Sequence, residues 1–279
     1  MKTFVTISPA LGRFVLGLAA ALLCIAAQAA TFPDWWVAIA NDRADSVKSM
    51  LAQGADPNEL SPKGQPAIMQ AIRDGAWNVY DLLASNKKTV LNAININRET
   101  PLMYLAVQGQ TKRAQDLIRR GAMVNRLGWT PLHYAASTGQ LETAKMLIAN
   151  KAIINAPAPD GTTALMMAAY SGSTAMVQLL LDHGAEITTQ NLQKLDAADW
   201  ARSKSHNALA TKLDALTERV LKKRAALRDA GSVPDTEPLK LDLEVTETAE
   251  TNKAAESKDT ATSNKSQSSS KYFDLDRFK

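Results

Sequence analysis

The chain has 279 residues with 32 basic and 28 acidic side chains. Its only cysteine, Cys24, lies in an apolar leader, so the chain beyond the leader carries no disulfide, Cys-based zinc site or thiol nucleophile. Without Lys2 and Arg13 the net charge is only +2, too small an excess for a nucleic-acid binder. The apolar share is mostly Ala, Leu, Ile and Met with 5% aromatics, which favours closely packed helices over sheet.

Residues 1–29 read as a signal peptide. Lys2 and Arg13 precede the apolar run from Phe14 to Ala27, which at 14 residues is too short to cross a bilayer that needs about 20. Ala27-Gln28-Ala29 then forms a small-residue cleavage pattern, placing the new N-terminus at Ala30 or Thr31. The expectation is an exported protein, periplasmic or secreted further, with no membrane span after leader cleavage.

Beyond the leader the sequence repeats. Four segments align: Gly64 to Gly75, Arg98 to Gly109, Gly128 to Gly139 and Gly161 to Gly172. Their closing glycines are 34, 30 and 33 residues apart, and Lys87, Gly121, Lys151 and Gly184 each follow twelve residues later. Thr100-Pro101 and Thr130-Pro131 start helices, because Thr can cap and a first-turn proline lacks an N–H that would be unpaired anyway. Ala106, Ala135, Ala136, Ala168 and Ala169 are small where two helices must approach. Met50-Leu51, Leu117-Ile118, Leu147-Ile148 and Leu180-Leu181 supply the second helices. Gly121 and Gly184 suit a left-handed helix end; Lys87 and Lys151 do not, so those turns are expected to be strained or differently shaped. Only four residues separate Asn125 from Thr130, predicting a stunted turn before the fourth repeat.

This pattern resembles the ankyrin repeat family. The resemblance rests on Thr130-Pro-Leu-His-Tyr-Ala-Ala136, on Gly121-Ala122 and Gly184-Ala185, and on Gly54-Ala-Asp-Pro-Asn58. Degenerate copies flank the four, around Asp34–Asp42 and Lys194–Ser205. Atypical ends are expected of a solenoid whose terminal repeats face solvent. The expected fold is all-α: a solenoid of about six helix–turn–helix repeats with short β-turn fingers over residues 30–217. A cap helix extends through 218–230 along Leu209, Leu213, Leu216, Val220 and Leu227. Residues 231–279 carry eight Leu, Ile, Val or Phe and a net charge of −3, the composition of a disordered tail. Two islands interrupt it, the alternating Leu239-Lys-Leu-Asp-Leu-Glu-Val245 and the aromatic Tyr272-to-Phe278 end.

No hydrolase elbow, zinc-protease helix, phosphate loop or dinucleotide fingerprint is present, so no catalytic residue, metal ligand or cofactor is assigned. His133 stands where the resemblance implies a hydrogen bond bracing neighbouring repeats. Lys112, Arg113, Arg119, Arg120 and Arg126 form the densest basic group and read as a solvated face. The family resemblance implies a monomeric, non-enzymatic module that binds a protein with its finger tips and inner-helix surface. Carried over by position, the finger tips are Gln65, Glu99, Trp129, Thr162 and Leu195. The inner-helix strip is Tyr104, Trp129, Tyr134, Met167, Tyr170 and Trp200, rich in the side chains that dominate interfaces. An accessory that protects a periplasmic enzyme, or an immunity-type inhibitor of a toxin, fits the same mode. A small-ligand or metal accessory fits it less well.

Overall fold

The computed structural model describes residues 32–229, so the leader and the tail lie outside the described residues. The described helices form six consecutive pairs: α1 Trp35–Ala40 with α2 Ala44–Ala52, α3 Ala67–Arg73 with α4 Trp77–Ser85, α5 Pro101–Val107 with α6 Thr111–Arg119, α7 Pro131–Ser137 with α8 Leu141–Ala149, α9 Ala164–Ser171 with α10 Thr174–Asp182, and α11 Ala197–Ser203 with α12 Asn207–Asp229. Each inner helix (α1, α3, α5, α7, α9, α11) packs on the inner helices before and after it. Among the described residues there is no strand, and one isolated bridge joins Leu60 to Pro66.

The alanine positions explain the closeness of this stack. Ala106, Ala135, Ala136, Ala168 and Ala169 are all fully buried. Replacing Ala135 with Leu is expected to overpack α7 and cost about 1–3 kcal/mol, read from urea unfolding. A variant as stable as the parent would mean that this interface has slack.

Neighbouring repeats are also tied by an asparagine ladder. Asn58, Asn92, Asn125 and Asn155 donate their amides to the carbonyls of Lys88, Gly121, Lys151 and Gly184, at 2.7–3.0 Å. Their Oδ1 atoms accept from the backbone N–H of Val90, Met123, Ile153 and Glu186, at 2.7–2.9 Å. Each asparagine therefore satisfies both a donor and an acceptor in the turn of the next repeat. These groups lie in the turns beyond the helix ends, outside the helical hydrogen-bond ladder, and so need partners of their own.

The two lysine turns differ as expected. Lys151 adopts φ +67°, in the left-handed region that side chains resist. At Lys87 the chain instead leaves α4 through an extended Asn86, φ −74° and ψ 125°. Four fingers close with a backbone hairpin bond: Ser61 to Gln65, Asn95 to Glu99, Ala158 to Thr162 and Asn191 to Leu195, at 2.8–3.1 Å. In the short Asn125–Thr130 link, residues 127–129 form a bend where the other fingers form turns. Past 217 the last helix continues unbroken to Asp229, with Leu209, Leu213, Leu216 and Val220 buried.

Candidate functional site

The inner-helix strip is not the open aromatic surface that its sequence positions suggest. Tyr104, Tyr134, Met167 and Trp200 are all buried, and only Trp129 and Tyr170 keep partial exposure. This corrects the expected exposed strip, and the reason is the finger that precedes each inner helix. Glu99, at the base of the second finger, is 1% exposed and turns inward. Its carboxylate accepts from the Tyr134 hydroxyl at 2.6 Å, the Tyr104 hydroxyl at 3.3 Å and the Asn95 amide at 2.8 Å. Asn95 also donates to Gln65 Oε1 at 3.2 Å. Polar side chains from three successive repeats thus meet under the fingers, where unpaired polar groups would be costly.

The remaining rings of the strip are tied up in a similar way. Trp129 stands edge-on to the His133 ring, with centroids 5.3 Å apart. Tyr170 meets Trp200 edge-on at 5.7 Å, and the Lys204 ammonium lies 4.6 Å from the centre of the Tyr170 ring. The Tyr170–Trp200 pair bridges adjacent repeats.

His133 braces the stack. Thr130 donates its N–H to Nδ1 at 3.2 Å, so Nδ1 is the acceptor and Nε2 carries the proton donated to the Thr162 carbonyl at 3.1 Å. Burial lowers its pKa to about 4. Met103 takes the same place one repeat earlier, its sulfur accepting from Thr100 N–H at 3.4 Å.

The expected finger-tip positions also need correction. Gln65, Glu99 and Thr162 are buried, while Trp129 and Leu195 are half-buried. The outward tips lie earlier in each turn. Ile96 is 80% exposed, Leu127 96% and Leu192 76%. The Leu192 turn is held in place, since its N–H donates to the Asp160 carbonyl of the neighbouring finger at 2.8 Å. Gly161 lets these two turns meet, because a Cβ there would lie 3.2 Å from the Asn191 Cα. The sequence signal for these tips is an apolar residue inside an otherwise polar turn, ahead of the following helix start.

Three members of the basic group are ion-paired, sharing two carboxylates. Arg113 pairs with Asp81 at 3.2 Å and lies 4.5 Å over the Trp77 ring. Arg120 and Arg119 both donate to Asp116, at 2.6 and 3.0 Å, and hold its carboxyl below the usual range. Arg126 donates to the Arg98 carbonyl. Among the described residues, no group of three or more His, Cys, Asp or Glu could hold a metal ion. No helix there is long and apolar enough to cross a membrane.

Comparison with known proteins agrees with this architecture. The family described as ankyrin repeats (3 copies) matches residues 35–127 and 106–191. The probable E3 ubiquitin-protein ligase XBOS33 of Oryza sativa subsp. japonica is 30% identical over 162 residues, covering 54% of this chain and 31% of that protein. The E3 ubiquitin-protein ligase XBAT33 of Arabidopsis thaliana is 33% identical over 151 residues, covering 54% and 29%. Ankyrin repeat and SAM domain-containing protein 6 of Rattus norvegicus is 32% identical over 132 residues, covering 47% and 12%. The chain thus spans less than a third of the length of each of these relatives. Such repeats are protein–protein interaction modules. With six stacked helix pairs, a bracing histidine and a family match across residues 35–191, the chain belongs to the ankyrin repeat family.

Proposed function

We propose that this chain is an exported, non-enzymatic binding module that works in the periplasm as a monomer and holds a partner protein on its finger edge. The observation that carries the reading is the exposure of Ile96, Leu127 and Leu192 on the turns that precede the inner helices. Large apolar side chains held out of a folded domain lose water when a partner covers them, and each fully covered one contributes about 1.5–3 kcal/mol. The half-exposed Trp129 and Tyr170 border this edge from the inner-helix side. Protection of a resident enzyme and inhibition of a delivered toxin both use such a surface, and the partner's activity with and without the module separates them.

The test begins with capture of the partner from periplasmic extract. The double variant Ile96→Asp, Leu127→Asp should then bind it at least about thirtyfold more weakly, or about 2 kcal/mol. Both positions are exposed, so the melting temperature should hardly move. Equal affinity for parent and variant would rule out the finger edge.

Export has its own check. The leader supports it through its charged start, short apolar run and Ala27-Gln28-Ala29 site. Protein recovered from the periplasm is expected to begin at Ala30 or Thr31 by N-terminal sequencing. Recovery only from the cytoplasm, beginning at Met1, would remove the periplasmic reading.

A further inference from the structure

A second exposed apolar row lies in the loops that follow the outer helices, ahead of the finger turns in the chain. Val90, Met123 and Ile153 are 52%, 57% and 57% exposed. They occupy one register position in three successive repeats, because each backbone N–H donates to the ladder asparagine of the repeat before. The fifth repeat continues the row with Glu186, whose N–H donates to Asn155. Glu186 is where the last helix arrives. Arg224 near the end of α12 pairs with its carboxylate at 2.6 Å and donates to Thr188 Oγ1 at 2.9 Å. The described chain therefore reaches Asp229 only five residues beyond a contact with the same row.

The segment past Asp229 matches that row in pattern, length and charge. Leu239, Leu241, Leu243 and Val245 alternate with polar residues, so an extended segment would turn all four to one side. Six extended steps cover about 20 Å at ~3.3 Å each. Three stacked repeats, two helix spacings of ~8–10 Å, cover about the same distance. The ten residues from Asp229 to Leu239 reach up to ~33 Å, enough to bring the segment alongside. Residues 237–247 hold four acids and one base, while the row is flanked by the exposed Lys87, Lys88 and Lys151. We propose that residues 239–245 dock in cis along Ile153, Met123 and Val90, covering the outer-loop row and leaving the finger edge open.

The experiment uses the full chain with the photoreactive residue benzoylphenylalanine in place of Leu241. Irradiation should yield intramolecular cross-links to the peptides that contain Met123 or Ile153. The double variant Met123→Asp, Ile153→Asp should lose these products at least tenfold, while circular dichroism and melting temperature stay near the parent's, both side chains being exposed. The Ile96→Asp, Leu127→Asp variant should keep them, which separates this contact from the finger edge. Cross-links that persist in the Met123 and Ile153 variant would overturn the proposal. So would products that are mainly dimeric and grow with protein concentration, since they would put a second copy on the row.

Discussion

Replacing Glu99 with Leu is expected to cost about 4 kcal/mol of folding stability. The carboxylate is the shared acceptor of Tyr134, Tyr104 and Asn95. Leucine fills much of the same space but accepts nothing. Each buried donor left unmade costs about 1–3 kcal/mol, and Tyr134 has the shortest bond to lose. At ~2–4 °C per kcal/mol for a domain of this size, the melting temperature should fall by about 10 °C. Glu99→Gln, which keeps an acceptor oxygen, should fall less. Replacement of a buried charge by a well-packed apolar group is sometimes neutral. A Glu99→Leu protein as stable as the parent would place this cluster in that class and show that it orients the finger without stabilising it.

Acidification should weaken the fold through His133 before most carboxylates contribute. In the folded chain burial holds its pKa at about 4, whereas the unfolded chain takes up the proton near 6.5. The unfolded state therefore binds more protons throughout that interval, and stability falls as pH drops from about 6.5 to 4. The full difference corresponds to about 3 kcal/mol. Carboxyls held low by partners, such as Asp116 beside Arg120 and Arg119, lose their contribution only at still lower pH. Urea titrations at pH 7, 6, 5 and 4.5 would trace the loss. His133→Met uses the residue found at the equivalent Met103 position, and it should flatten the slope even if stability at pH 7 changes. An unchanged slope in that variant would exclude His133 as its source.

Much of this protein was legible because a repeat declares itself at short range. Thr-Pro starts, buried alanine pairs and turn glycines each depend on a few neighbouring residues, so their spacing alone places six helix pairs. The same local reasoning anticipated that Lys87 and Lys151 would distort or reshape their turns, and that the Asn125–Thr130 link would make a stunted finger, a bend in place of a turn. The histidine brace was legible by family resemblance, and the structure supplies its bond to Thr162.

Exposure was decided elsewhere. Whether Tyr134 faces solvent depends on Glu99, 35 residues earlier in the chain. Whether Met123 sits on a fixed turn depends on Asn92, 31 residues away. In a stacked solenoid each side chain is covered or held by the neighbouring repeat, so a face assigned by position within one repeat is incomplete. The amino-acid sequence by itself determined the repeat register, the helix pairs and the small residues that let them close, since these follow from local spacing and size. Only the tertiary structure decided that Tyr104 and Tyr134 belong to a buried carboxylate network and that Ile96, Leu127 and Leu192 are the apolar side chains left most exposed to water, because those outcomes rest on contacts made between repeats.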